Sequence, residues 1–480
     1  MQRWQWRAPV LRAMLLLPLL PLGSCRRAAP TDPRAAGPAA SAAAVETYLR
    51  TQMRINRIPS IAVAIVRDGT TELLEAWGTA HLEWAAPATP ATAYQLASAT
   101  KPLTGTALML LVQEGALSLD SSVRTWLPEA PAAWDPITIR HLATHASGIS
   151  DDVGDTASNT AAGATLRLME QPLAYAPGSR SSYGIGGYIV LQHIIERIAG
   201  TPFPQFMHDR IFVPLDMTST RFDHGTDDGP FRTADIVPQR AQIYTIEGDR
   251  QRISWFHYAS GAYSAGGLLS SAADLAKWAA ALDRGALLRE ETAATMWETR
   301  EQSDPDNLFA IGWAVGTYRG RHTVGHSGGP ALADILRFAR EKLTIIVLTN
   351  QSTLYPYLAQ GVADLIVPTP QPAPTTRVAD AHPALSATFR RLLVSLAHGL
   401  LSDEPFTDDA RRDFLPQVRA FLPPFTRSLG EPDTVTLIAE TRNAERWERT
   451  YLASYDGKPV LWRVHLAPDG RIRSLRPFPQ

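Results

Sequence analysis

The stretch Tyr94–Asp120, YQLASATKPLTGTALMLLVQEGALSLD, holds a local contradiction from which the rest of the chain can be read. From Leu103 the apolar residues Leu103, Ala107, Leu110 and Leu111 recur at helical spacing, and Gly115 stands where a helix end favours a left-handed residue. This predicts an amphipathic helix opening at or just after Ser98. A serine caps helices well, and a capping box would then place Glu or Gln three residues on. The chain places Lys101 there instead. A cation in the first turn opposes the helix dipole at a cost of about 0.3–1 kcal/mol, and lysine is scarce here: the others are Lys277, Lys342 and Lys458. Residues three apart share a helix face, so the amine can reach Ser98 Oγ. The helix N-terminus and partial desolvation lower the pKa of such a lysine, and as free amine it can take the serine proton. Ser-x-x-Lys alone is a weak pattern, so its surroundings decide.

The chain has 480 residues, 45% hydrophobic and 19% charged, a globular balance in a length beyond one ordinary domain; two folded parts are expected. Net charge is −1 with the basic residues scattered, which gives no electrostatic footprint for nucleic acid and favours a small-molecule partner.

The N-terminus reads as an export signal over residues 1–24. Arg3, Arg7 and Arg12 precede an apolar run from Ala13 to Leu22 that is too short to span a membrane. The run ends in Leu22-Gly23-Ser24-Cys25, which resembles the bacterial lipobox, and Cys25 is the only cysteine. A lone cysteine cannot form an internal disulfide, whereas a lipidated one anchors the mature chain to a membrane through its acyl chains. The resemblance implies an exported bacterial lipoprotein on the periplasmic side. Arg26, in place of the aspartate that retains many lipoproteins at the inner membrane, points to the outer membrane. Residues 25–42 then form an Ala/Pro-rich tether.

A helical pattern from Ala43 to Arg54 leads into a predicted hairpin: Ile61–Ile65, a turn at Asp68-Gly69, and a strand near Leu73–Trp77. A second hairpin, Asp334–Phe338 and Leu343–Leu348 around Arg340-Glu341-Lys342, comes much later and is followed by a helical stretch, Leu354–Ile366. The economical architecture is of the α/β (α+β) class: one antiparallel sheet built from both ends of the domain, flanked by terminal helices, with a mostly helical region inserted. After Val367 a proline-rich linker is expected over 368–382. Beyond it, 383–480 reads as a small α+β domain: a helix from Pro383 to about Leu401, then strands at Val435–Ile438, Trp447–Tyr455 and Val460–Leu466, ending at an Asp469-Gly470 turn. The two domains are expected to fold separately.

Two further stretches are candidate partners for Ser98. Tyr183 lies in a Ser/Gly loop just before a helical pattern (Ile189, Gln192, Ile195, Ile198), and Gly325-His326-Ser327-Gly328-Gly329 is a small-residue run upstream of the second hairpin. Taken alone, these are an ordinary packed tyrosine and a turn with a structural histidine.

In order along the chain they resemble the class C β-lactamase and penicillin-binding serine hydrolase family. Ser98-Ala-Thr-Lys101 is similar to its Ser-x-x-Lys motif. LVQEGALSLDSSVRTWLPE (111–129), ITIRHLATHASGIS (137–150), PGSRSSY (177–183), IFVPLDMTSTRF (211–222), AGGLLSSAADLAKWAAAL (265–282) and LTIIVLTN (343–350) are similar to its other landmarks, in the usual order. The resemblance covers residues 43–367 and implies a β-lactamase/transpeptidase-like fold there. It further implies that Ser98 attacks a carbonyl, that Lys101 shares its proton, and that Tyr183 relays that proton to the leaving group through an acyl-enzyme. The oxyanion hole would be the backbone N–H groups of Ser98 and Gly329, with His326, Ser327 and Gly328 lining the strand where substrate docks. The mechanism needs neither metal nor organic cofactor, and no closely spaced ligand cluster stands out.

Three departures bear on substrate. Ile185 occupies the place of asparagine in the family's Tyr-x-Asn motif, His326 stands where β-lactamases carry lysine, and PALADILRF after Gly329 is short and lacks the customary glycine. An esterase with weak or no β-lactamase activity is the expectation. D-amino-acid peptidase, DD-carboxypeptidase and β-lactamase are alternatives, and a non-catalytic surface lipoprotein that kept the fold as a binding module is a reading of another class.

Overall fold

The structure is a computed structural model. It describes residues 38–480 except 153–159, 224, 227–232, 248–249, 256, 299–308, 319, 330–331, 353–357, 368–375, 416–418, 420–421, 443–446, 457 and 480. The expected export signal, Cys25 and the tether up to residue 37 therefore lie outside the described residues. Helix α1, Pro38–Asn56, starts ahead of the expected Ala43, so the last residues assigned to the tether are helical. Alanine is the strongest helix former and proline is accepted in a first turn, where its missing N–H has no partner to lose. No described helix is long and apolar enough to cross a membrane.

Both predicted hairpins form and pair with each other. Strands β1 (Ser60–Arg67) and β2 (Thr70–His81) flank the Asp68-Gly69 turn, and β7 (Ala333–Phe338) and β8 (Leu343–Thr349) form the later hairpin. With β3 (Ala86–Pro87), β4 (Phe309–Ala310), β5 (Trp313–Tyr318) and β6 (Arg321–Gly328) they make one antiparallel sheet in the order β4-β5-β6-β7-β8-β1-β2-β3. The join between the two chain ends is the β1–β8 ladder, from Ile61 opposite Thr349 to Arg67 opposite Leu343.

Because side chains alternate along a strand, β1 feeds two cores. Ile61, Val63 and Ile65 face a cluster containing Val45 and Leu49 of α1 and Leu358 and Val362 of α5 (Leu358–Ile366). Ala62, Ala64 and Val66 face the inserted helical region, where α4 (Ala272–Arg284) packs Leu275, Trp278 and Leu282 toward the sheet. Trp278 stacks on Trp313 of β5 at 5.8 Å between ring centroids, an offset worth about 0.5–1.5 kcal/mol beyond its area.

Helix α2, Lys101–Gln113, corrects one expectation: it is not amphipathic, because every residue from Lys101 to Leu111 is buried. Sheet, insertion and its own neighbours surround it. Gly115 does take the left-handed conformation that ends it.

The C-terminal part contains α6 (Pro383–Ala397), α7 (Leu422–Leu429) and a four-stranded antiparallel sheet, β9 (Thr434–Arg442), β10 (Trp447–Tyr455), β11 (Lys458–Leu466) and β12 (Ile472–Pro479), in sequential order. The last strand was not anticipated. Nor is 368–382 a free linker throughout: Val378 N–H donates to Leu437 O at 3.1 Å, and Asp380 pairs with the fully buried Arg449. Phe389, Leu392, Leu422 and Phe425 belong to the same hydrophobic cluster as α1, α5 and the outer face of the sheet, and α7 packs on α1. Against the expectation of a separate core, the C-terminal part shares the outer of the two cores with α1, α5 and the sheet.

Candidate active site

Ser98 sits in a single 3₁₀ turn, Ala97–Thr100, that runs directly into α2. Its hydroxyl is not used as a cap: neither turn nor helix has a side-chain cap bond. The residue before it, Ala97, is buried at φ +46°, in the left-handed region that a residue with a Cβ avoids and that costs roughly 1–3 kcal/mol. Three anchors hold this turn. Tyr94–Gln95 pairs with Leu268–Ser270 in a small sheet, Thr104 Oγ1 donates to Ser264 O at 2.7 Å, and the end of β6 presses on the turn itself. At that contact a Cβ on Gly328 would fall 1.8 Å from Leu96 O, so only glycine lets the strand come this close.

Lys101 is the hub. Its Nζ donates to Ser98 Oγ at 3.3 Å, to Tyr183 Oη at 2.9 Å and to Ala265 O at 2.8 Å, and the side chain is fully buried. Burial lowers its pKa from the ordinary 10.5 to about 7, against a smaller opposing pull from the Asp151 carboxylate. Near neutrality a large share of Lys101 is therefore free amine, able to accept the serine proton. Tyr183 leaves 43% of its surface open while its hydroxyl end sits on the buried lysine. Desolvation at that end raises its pKa well above the ordinary range, moderated by a hydrogen bond with Ser98.

Sequence reading did not single out the groups that hold Tyr183. His145, buried at φ +58°, has its ring 4.6 Å from that of Tyr183; its carbonyl accepts from Ser182 N–H at 2.8 Å and its Nδ1 from Gly184 N–H at 3.3 Å. Burial, then the charge of Lys101, pushes its pKa well down, so it is neutral. Asp151 Oδ1 accepts from both Ile185 and Gly186 N–H at 2.7 Å, at the start of α3 (Gly186–Ala199). A carboxylate at a helix N-terminus is the favourable arrangement, and it fixes the residues just after Tyr183. Tyr258, from a segment 160 residues beyond Ser98, brings a second phenol within hydrogen-bonding reach of the serine. No local motif announces any of the three.

The other expected site residues are placed as follows. His326 on β6 is buried, with its ring 5.9 Å from that of Tyr183; its Nδ1–H donates to Ser327 O at 2.8 Å, and its Nε2 is buried without a partner among the described residues. Burial, followed by the charge of Lys101, pushes its pKa down to about 3, so the ring is neutral. Ser327 lies opposite Asp334 in the β6–β7 ladder, Gly328 ends β6 against Leu96, and Gly329 follows directly. Ile185 is half-buried with its side chain packed against the main core. A group of metal-ligating side chains is not found among the described residues.

A serine hydroxyl, a lysine with lowered pKa and a phenol thus meet at one hub. The family model described as Beta-lactamase matches residues 45–363. The Bacillus subtilis (strain 168) protein PbpX, which bears a penicillin-binding protein's name, is 27% identical over 308 residues, 63% of this chain and 74% of its own. Protein flp of Staphylococcus aureus (strain MW2) is 26% identical over 339 residues, 67% of this chain and 66% of its own. Among solved structures, the octameric penicillin-binding protein homologue from Pyrococcus abyssi is similar with TM-score 0.57 at 21% identity, over 91% of this chain and 98% of that one. EstCE1, a hydrolase with promiscuous acyltransferase activity, is similar with TM-score 0.59 at 22% identity, over 69% and 99%. The chain belongs to the Beta-lactamase family and is a serine hydrolase.

Proposed function

We propose that this hydrolase is an esterase that works through a Ser98–Lys101–Tyr183 acyl-enzyme and has weak or no activity on β-lactams. The observation that carries the mechanism is the Lys101 amine, buried, with a pKa near 7 and hydrogen-bonded to both Ser98 and Tyr183. Neutral Lys101 takes the serine proton as Oγ attacks the carbonyl. Tyr183, whose raised pKa keeps it protonated, passes a proton to the leaving alcohol and later helps water resolve the acyl-enzyme. The backbone N–H groups of Ser98 and Gly329 are the proposed oxyanion donors, a role in which one donor is worth about 3–4 kcal/mol of barrier.

Two features favour esters. Ile185 turns an alkyl side chain into the core at the place where relatives offer an amide, and His326 is neutral where a lysine would hold a substrate carboxylate. Substrates with an acylamino group and a carboxylate lose about two orders of magnitude or more at such a site, and an ester makes neither demand. EstCE1, with the same fold, is a hydrolase. Attachment to the outer membrane through a lipid on Cys25, after export, completes the proposal.

The test is covalent labelling with a fluorophosphonate together with a panel of p-nitrophenyl acetate, p-nitrophenyl butyrate, penicillins and cephalosporins. Ser98→Ala is expected to abolish labelling without unfolding the protein. A cephalosporin with kcat/KM above that of the short esters would overturn the ester assignment.

A further inference from the structure

Ser98 has two phenols around it: Tyr183, hydrogen-bonded to the lysine as described above, and Tyr258. Tyr258 packs its ring against the main core and brings its hydroxyl into hydrogen-bonding reach of Ser98. The backbone beneath is cut to fit it: a Cβ on Gly266 would fall 2.0 Å from Tyr258 Cζ and 2.3 Å from its hydroxyl oxygen. The short helical turn to which Gly266 belongs, Tyr263–Gly266, packs on the nucleophile turn. It gives Ala265 O to Lys101 Nζ at 2.8 Å and Gly266 O to Gln95 Nε2 at 3.0 Å. One turn therefore fixes the lysine, the strand leading to the serine and the second phenol together. Burial raises the Tyr258 pKa, so the phenol keeps its proton across the working range. Its electrostatic influence also reaches Tyr183.

We propose that Tyr258 is a catalytic residue that donates a hydrogen bond to Ser98 Oγ in both half-reactions, while Lys101 and Tyr183 carry the proton. The proposal rests on the Ser98 acyl-enzyme reading. In acylation the Oγ–carbonyl bond forms, the bond from the carbonyl carbon to the leaving oxygen breaks, and the serine proton passes by way of Lys101 and Tyr183 to the departing alcohol. In deacylation a water oxygen bonds to the carbonyl carbon, the Oγ–carbon bond breaks, and the proton the water gives up passes by way of Tyr183 and Lys101 to Oγ. Negative charge passes through Oγ both times. Tyr258 neither gains nor loses a proton overall, and it acts at the one atom common to both steps. Its effect is therefore independent of the leaving group.

The decisive variant is Tyr258→Phe in the full chain, assayed by burst and steady-state kinetics on p-nitrophenyl acetate and on ethyl acetate. Removing a donor to a developing charge should lower both the burst rate and the steady-state rate by about ten- to a hundredfold. The loss should be the same for both leaving groups, the pH limb set by Lys101 should stay where it is, and the melting temperature should not change. Unchanged rates, a loss confined to ethyl acetate (which would make Tyr258 a leaving-group acid), or a shifted pH limb would overturn the proposal. Should Tyr258→Phe melt early, Tyr258→Gln, which restores a donor, decides: faster than the phenylalanine variant supports donation, no faster overturns it. Ser98→Ala separates the two claims. Full labelling of that variant sinks the Ser98 reading together with this proposal, whereas lost labelling beside an unaffected Tyr258→Phe overturns the proposal alone.

Discussion

At the scale of single residues, Lys101 decides both activity and stability, and with opposite signs. In the proposed mechanism its free amine is the active form, so kcat/KM for a short ester should rise with pH along one limb with an apparent pKa near 7. His326, neutral above about pH 3, should add no second limb between pH 5 and 8. A rate profile flat from pH 5 to 9 would show that Lys101 is not the base. For stability, the folded pKa is depressed below the ordinary 10.5. Below about pH 7 both states carry the charge and the full burial penalty applies; as pH rises from 7 to 10.5 the folded chain already holds the amine neutral and the penalty disappears. Lys101→Met should therefore be inactive yet more stable than the parent at pH 6, by an amount on the order of a few kcal/mol, and this gain should fade toward pH 10. Chemical denaturation at the two pH values measures it. At position 185, Ile185→Asn is expected to raise β-lactam turnover with little change on esters, and the reverse pattern would show that the missing amide is not the cause. The Ser98–Lys101 pair was legible because both members sit three apart in one helix opening. Tyr258 and Asp151 were not legible: their nearness to the site depends on where the chain returns, and neither stands in a spacing that chemistry requires.

At the scale of elements, β6 and α3 bracket the site and each is fixed by a close fit. A Cβ at position 328 meets a backbone carbonyl that cannot move without breaking the nucleophile turn, so Gly328→Ala should lose probe labelling and melt lower. Asp151→Ala tests a gentler support. It leaves the Ile185 and Gly186 N–H groups without their carboxylate, which costs about 1–2 kcal/mol as other lost caps do, and it loosens the segment carrying Tyr183. The expected result is a melting temperature a few degrees lower and a reduced kcat with KM little altered; an unchanged kcat would show that His145 alone suffices to place the phenol. The two hairpins of the sheet were readable because alternation and turn residues agreed in each. Helix α2 was misread as amphipathic because periodicity among apolar residues does not reveal what covers the polar face, and here Thr104 and Thr106 are also buried, bonded to Ser264 O and Pro102 O. The two-residue strands β3 and β4 carry no pattern of their own and exist only through pairing.

At the scale of the whole molecule, the question is what the C-terminal part does for the hydrolase. Composition made a boundary at the proline-rich stretch reasonable, since proline and a lack of core residues are what linkers look like. What composition could not show is that α6 and α7 bury apolar residues in the cluster that covers α1, α5 and the outer face of the sheet. Magnitudes then decide the expected effect of truncation. Exposing even four large apolar side chains costs about 6–12 kcal/mol at about 1.5–3 each, as much as the roughly 5–15 kcal/mol net stability of an ordinary domain. A chain ending at residue 375 should thus be insoluble or melt far below the parent, and should lose ester turnover although Ser98, Lys101, Tyr183 and Tyr258 are all retained. Supplying residues 376–480 as a separate chain should restore solubility and turnover, because the cluster is built from contacts that need no covalent link. A truncated chain that stays soluble, melts with the parent and hydrolyses p-nitrophenyl acetate at the parental rate would show that the outer face of the sheet is closed by α1 and α5 alone.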